Sequence, residues 1–221
     1  MESVADRTKR VRKIITRLKK AYPDADCLLH YSTPLELLIA TIMSAQCTDE
    51  RVNKTTPAVF AKYATAADYA VAPTDELEAL IRSCGTFRNK AKAIKAACTQ
   101  IAEKHGGEVP RTMDALQGLD GVGRKTANVV LGTVFGVPAI IIDTHAMRLS
   151  GRLALASPHN VKQKYADKIE KELAEVVAPK HQTLFSHQLT WHGRFCCKAR
   201  KPECPRCPIV ALCPYPDKTE G

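Results

Sequence analysis

Near its C-terminal end the chain reads CCKARKPECPRCPIVALC, five cysteines within eighteen residues, interleaved with Lys198, Arg200, Lys201 and Arg206. Cys197, Cys204, Cys207 and Cys213 follow the spacing C-x6-C-x2-C-x5-C. Four thiolates this close are a metal-binding set. Structural zinc generally uses two separated C-x2-C knuckles joined by a long loop. A single C-x2-C flanked by short loops suits a compact [4Fe–4S] cube. Spacing favours the cluster modestly and leaves zinc open. Cys196 is surplus: neighbouring side chains point in different directions, so it is placed outside the ligand set. Cys27, Cys47, Cys84 and Cys98 are scattered and read as small buried hydrophobes. A tail of prolines and cysteines has little core of its own, and a bound metal would convert binding free energy into folding free energy. The loop KARKPE would then present Lys198, Arg200 and Lys201 as a basic finger for phosphates.

A second group of chemically capable residues lies upstream. The stretch MDALQGLDGVGRKTANVVLGTVFG reads as two helices joined by a Gly-x-Gly turn. Gly121 and Gly123 permit unusual backbone angles and close approach by another molecule. With Val122 between them and Arg124 next, they lead into a helix whose first amides lack internal partners, an anion site suited to a phosphate. Lys125 falls in the first turn, where the positive end of the helix dipole disfavours an ammonium. The bland reading is a solvated or phosphate-contacting lysine; the sharper one is a neutral amine acting as a nucleophile. Downstream, IIIDTHAMRL puts Asp143 after an apolar run and before a helix, as an N-cap carboxylate or, facing a cleft, as an acid/base or charge stabiliser. His145 stands two residues on, placed to orient that carboxylate or a phosphate. His187 and His192 read as packing beside Trp191.

The elements that must position these groups are almost all helical. Apolar residues recur at helical spacing over 34–45, 49–62, 74–83 and 88–105, with Pro34 near one start and Thr74 as an N-cap. Further helices are predicted over 112–117, 124–135, 144–153, 160–178 and 182–191. The basic N-terminal segment carries Val11, Ile14, Ile15 and Leu18 on one stripe and charges on the rest, a solvated face. No run alternates with period two, so the fold class is all-α.

Length and composition set the outer bounds. At 221 residues with 45% apolar content the chain is globular and holds one large or two small domains. A formal net charge of +10 points to a polyanion, nucleic acid first. No secretory h-region is present at the N-terminus, and the most apolar stretch is too short to span a bilayer. The expected setting is soluble, cytoplasmic and nucleoid-associated, with no membrane partner, and the expected state is a monomer.

Taken together, LDGVGRKTANVVL, IIIDTHAMRL and the cysteine spacing resemble the endonuclease III branch of the helix-hairpin-helix (HhH-GPD) DNA glycosylases. SAQCTDERVN and FRNKAKAI resemble further family segments, so the match runs from about residue 30 to 213. The resemblance implies a six-helix barrel containing the hairpin over 27–138. It implies a second, discontinuous domain from 1–26 and 139–221 that carries a [4Fe–4S] cluster on the loop 197–213. DNA would lie across the cleft between the two. By position, Lys125 matches the catalytic lysine, Asp143 the catalytic aspartate, and Gln46 a residue that fills the space left by an extruded base. The implied activity is a bifunctional N-glycosylase and AP lyase that removes oxidised pyrimidines from double-stranded DNA and cuts 3′ to the abasic site. A related adenine glycosylase typically has serine where this chain has Lys125, and carries an extra C-terminal domain beyond the cluster. The main alternatives are therefore a monofunctional glycosylase of this fold and a non-catalytic DNA-binding protein. Three departures stand out: Asp120 where proline is usual, Thr86 where a larger apolar wedge is common, and Cys47 where a small residue is usual.

Overall fold

The computed structural model describes residues 2–220; Met1 and Gly221, the ends of the expected domain ranges, lie outside the described residues. Regular structure among them is helical, with no strand. The chain forms two compact units, one from Met1–Asp26 with Pro138–Gly221 and the other from Cys27–Val137.

The first unit begins with α1 (Val4–Ala21), capped by the Ser3 hydroxyl, which accepts from the Asp6 amide at 3.1 Å. Its stripe of Val11, Ile14, Ile15 and Leu18 is buried, as the spacing predicts.

The second unit holds α2 (Pro34–Met43), α3 (Asp49–Lys62), α4 (Ala66–Val71), α5 (Thr74–Ile81), α6 (Phe87–Lys104), α7 (Met113–Gln117) and α8 (Arg124–Val134). Apart from its first three residues, the apolar helix α2 is buried throughout, and α6 packs against α2, α4 and α5 through Ala91, Ile94, Ala97, Cys98 and Ile101. Each buried Leu or Ile here contributes about 1.5–3 kcal/mol by leaving water. Two local expectations fail. Thr74 is not a cap but the first helical residue, with Pro73 before it and no side-chain cap. The helix α4 was not predicted; a capping box between Thr65 and Asp68 starts it, and its six residues are too few for a periodic signal.

The first unit then resumes with α9 (Thr144–Arg152), α10 (Pro158–Gln163), α11 (Ala166–Val176) and α12 (Gln182–Phe195). The single helix predicted over 160–178 is broken, because Lys164 adopts a left-handed conformation at φ 58° between α10 and α11. Conversely, α12 runs four residues beyond its expected end. One apolar core joins α1, α9, α11 and α12 through Ile14, Leu18, Leu149, Ile169, Leu173 and Phe185. Cys197, Cys207, Leu212 and Cys213 pack against its edge.

Candidate active site and cysteine centre

The hairpin lies wholly in the second unit. Between α7 and α8 the Val122 amide donates to the Leu119 carbonyl at 3.1 Å, closing a tight turn. Gly121 sits at φ 76°, and a Cβ there would come within 2.5 Å of Ala93 Cβ on α6. Both backbone angle and space demand glycine. Gly121→Ala is expected to destabilise the protein by more than about 2 kcal/mol, read by denaturant melting, with a parallel loss of duplex DNA affinity. Asp120, where proline would lack the donor, uses its amide to bond Gln100 Oε1 at 2.7 Å, tying the turn to α6.

Gly123 is the N-cap of α8, and no side chain caps this end. The first amides of the helix therefore face outward, as an anion site needs. Lys125 is the second residue of α8 and is exposed, as is Arg124. Val122 differs from expectation: its side chain is buried at 5% exposure and its amide is committed to the turn, so it serves the hairpin from inside. Gln46 is exposed just beyond α2 at φ 54°, a left-handed conformation uncommon for glutamine. Thr86 is also left-handed at φ 41°, and it follows Gly85 at φ 65°.

Asp143 lies in the first unit. The extended run Ala139–Ile142 is buried, and the Ile141 amide donates to Ser186 Oγ of α12 at 2.9 Å. That run delivers Asp143 to the N-cap of α9, where Oδ1 accepts from the Ala146 amide at 2.6 Å. The other oxygen, Oδ2, accepts from Thr190 Oγ1 of α12 at 3.0 Å. The carboxylate is thus held at both oxygens with one face left half-buried. Thr190 carried no sequence signal, because its partner is 47 residues away. Thr190→Val is expected to lower the single-turnover rate about tenfold, the weight of one hydrogen bond to a charged group, with the melting temperature little changed.

His145 packs on the backbone of Gly193, where an added Cβ would meet the His145 Cβ at 2.8 Å. Burial pushes the imidazole below its ordinary range, against the pull of Asp143, and Arg148 Nη2 lies 3.1 Å from Nδ1. A neutral ring beside Asp143 follows. Arg148 also donates to the carbonyls of Gly193 at 2.9 Å and Cys197 at 3.0 Å.

The cysteine centre forms one concave space in the first unit. Cys196, Cys197, Cys204, Cys207 and Cys213 all line it, with Leu149, Leu153, Ile209 and Val210 as apolar walls. The expectation that Cys196 points away is overturned: consecutive cysteines bend around the end of α12 and face the same space. Its thiol contacts the Glu203 carbonyl at 3.6 Å. Ligand atoms of Cys196, Cys207 and His192 lie within 4.8 Å of one another. His192 is engaged on both ring nitrogens, with Tyr22 Oη at 3.0 Å and Cys207 Sγ at 3.5 Å, and burial depresses it to about 4, so the ring is neutral.

Two observations show that this space suits a metal. Burial pushes the Cys207 thiol up to about 12, so a thiolate there needs a nearby cation. Arg152 Nη1 donates to Cys197 Sγ at 3.1 Å, a hydrogen bond that a ligand thiolate would accept. Arg152 continues to the carbonyls of Lys198 at 2.7 Å and Ala199 at 3.0 Å, fixing the start of the basic loop. Sequence reading passed over Arg148 and Arg152. Both lie on α9, the helix that Asp143 caps, and this helical spacing was the available signal. The basic loop itself is not uniform. Lys198 is ion-paired with Glu203 at 2.5 Å, whereas Arg200 and Lys201 are exposed.

No helix among the described residues is long and apolar enough to cross a membrane. Residues 39–179 match the model for the HhH-GPD superfamily base excision DNA repair protein. The chain is 47% identical over 215 residues to endonuclease III of Synechocystis, covering 97% of this chain and 96% of that protein. It is 41% identical to endonuclease III of Escherichia coli K12, covering 94% and 96%. Among solved structures it resembles a non-covalent endonuclease III–DNA complex, with a TM-score of 0.87 and 44% identity over 97% of both chains. It also resembles a trapped covalent endonuclease III–DNA intermediate, with a TM-score of 0.88 and 43% identity over the same shares. With hairpin, capped aspartate and cysteine centre each in place, the chain belongs to the endonuclease III family of HhH-GPD base excision DNA repair proteins.

Proposed function

We infer that this chain is a bifunctional base excision repair enzyme, a DNA N-glycosylase that also cleaves at the resulting abasic site. One observation carries the reading: an exposed lysine at the second position of an uncapped helix in the hairpin. Substrate is double-stranded DNA bearing an oxidised pyrimidine or an abasic site. A damaged base inside a duplex is out of reach, so the nucleotide is extruded. Gln46, presented by its left-handed backbone, enters the gap. The amides opening α8, with Gly121 and Gly123 shaping the turn and Arg124 beside them, hold a phosphate. His145, Arg200 and Lys201 add contacts, and Lys198 does so only by exchanging Glu203 for a phosphate.

Lys125 attacks C1′ of the extruded nucleotide as the free amine. The C1′–N bond breaks and the base leaves with a proton. Asp143, held by Thr190 and the Ala146 amide, balances the positive charge that develops on the sugar. The C1′–O4′ bond then breaks, O4′ takes the remaining amine proton and the sugar opens to the imine, which acidifies the C2′ proton; its loss breaks the C3′–O bond, expels the 3′ phosphate and cuts the strand by β-elimination. Cys197, Cys204, Cys207 and Cys213 would hold a [4Fe–4S] cluster, whose role is to clamp the tail and the basic loop in shape. Cys196 is left as a buried thiol bonded to Glu203. The protein works as a monomer on the nucleoid, in the cytoplasm.

Borohydride reduction tests this reading. Wild-type protein is mixed with a duplex containing one thymine glycol, and separately with a duplex containing one abasic site. A covalent adduct with both supports the bifunctional mechanism. An adduct with the abasic duplex alone keeps the lyase and moves the base preference elsewhere. Tight binding with no adduct on either leaves a monofunctional glycosylase or a DNA-binding protein.

A further inference from the structure

Cys196 faces the cysteine centre yet has no place in the four-thiolate set, and its neighbours give it another use. His192 and Cys196 stand four residues apart at the C-terminal end of α12, so their side chains share one helix face. The Cys196 amide donates to the His192 carbonyl at 3.0 Å, which keeps the helical spacing through the last turn. The 3-10 turn Cys204–Arg206 brings Cys207 against this face, with Cys207 Sγ 3.5 Å from His192 Nε2. The ligand atoms of all three lie within 4.8 Å of one another, and no other cysteine joins such a group among the described residues. His192 is 1% exposed and Cys196 3%.

These separations are the size of a single-ion site. On a tetrahedral zinc, with Zn–S about 2.3 Å and Zn–N about 2.0–2.1 Å, a sulfur and a nitrogen ligand stand about 3.6 Å apart. The 3.5 Å between Cys207 Sγ and His192 Nε2 matches. The other ring nitrogen is supported as well, because Tyr22 Oη lies 3.0 Å from His192 Nδ1. A hydroxyl can accept there from Nδ1–H, which leaves the Nε2 lone pair facing the sulfurs, the tautomer a ligating histidine needs. Two thiolates and a neutral imidazole make a neutral complex with a divalent ion, which suits apolar walls at Leu149, Leu153 and Ile209.

We propose that His192, Cys196 and Cys207 form a zinc site, with solvent as the fourth ligand, that fills when the four-iron cluster is not in place. Two Zn–S bonds form as both S–H bonds break, and the two protons pass to solvent. Zinc and the cluster exclude each other because both claim Cys207, a point that rests on the cluster ligands proposed above. Zinc between Cys196 and Cys207 closes the loop carrying Arg200 and Lys201 at both ends. It therefore tethers the basic loop in protein that has not received iron.

The test uses the full chain produced with iron withheld, titrated with cobalt(II) as an absorbing stand-in for zinc and then with zinc itself. Expected is one tetrahedral cobalt per chain with thiolate-to-metal charge-transfer absorption, displaced by zinc. Cys196→Ser and His192→Gln are each expected to weaken zinc binding by more than about 100-fold, beyond the range in which a merely supporting hydrogen bond acts. Tyr22→Phe, which removes only such a support, is expected to weaken it by about tenfold. Cys204→Ala and Cys213→Ala cannot complete the four-thiolate set. Both are expected to bind cobalt with a spectrum like that of wild type, and zinc is expected to slow proteolysis between residues 196 and 207 in each. Cobalt binding undiminished in Cys196→Ser, or lost in both Cys204→Ala and Cys213→Ala, would place the ion on the four cysteines and overturn the proposal. The cluster is followed separately: with iron supplied, Cys196→Ser is expected to keep the visible absorbance of wild type. Absence of that absorbance in both proteins would sink the cluster and leave the zinc site standing.

Discussion

Replacing Lys125 with alanine is expected to remove the borohydride-trapped adduct and lower single-turnover base release by about 10^4-fold, the scale on which loss of a covalent nucleophile is felt. The side chain is exposed at the second position of α8, so stability should move by no more than about 0.5 kcal/mol. DNA affinity is expected to stay within a few-fold, because the outward amides of α8 and the turn at Gly121 remain. This pairing of intact binding with lost chemistry is what distinguishes a nucleophile from a phosphate-contacting lysine. A phosphate contact would instead weaken binding and flatten its salt dependence by about one unit of slope. Retained adduct in the alanine variant would assign the imine to another amine.

Replacing Cys204 with alanine is expected to cost the proposed iron–sulfur cluster and much of the order of the C-terminal tail. From Pro202 onward that tail has two single 3-10 turns, Cys204–Arg206 and Val210–Leu212, as its regular structure. It contributes Ile209 and the edge residue Leu212 to the core, alongside the cysteines. Such a segment has too few contacts to offset the entropy of fixing its backbone, about 1–2 kcal/mol per residue. Metal binding at a structural thiolate site supplies on the order of 10 kcal/mol, and one missing ligand removes much of it. The measurable outcomes are lost visible absorbance, iron content near zero, and rapid proteolysis after residue 196 while Cys27–Val137 resists. Loss of the basic loop would also weaken DNA binding. A colourless variant with unchanged melting and unchanged protease resistance would show that the tail is held without the metal.

Much of this was legible before any coordinates. Helical class followed from apolar periodicity, which depends on residues three and four apart and so survives as a local signal. The hairpin was legible because its turn needs glycine at Gly121. Asp143 was legible as a cap because a carboxylate between an apolar extended run and a helix satisfies amides only a few residues away. The four thiols were legible by spacing. The break at Lys164 was not, since a single left-handed residue leaves the apolar spacing on both sides intact.

What tertiary structure alone decided are the partners that lie far apart in the chain. Thr190 reaches Asp143 because α12 packs across the start of α9. Gly193 admits His145 because the same two helices approach without room for a Cβ. Arg148 and Arg152 grip the main chain at Cys197, and Cys196 turns toward the cavity, because α12 ends beside α9. Residue type and local spacing determine which groups are capable of chemistry and which element carries each one. Which helix faces pack together determines what each group touches, and that choice depends on the whole core, so no short stretch of sequence contains it.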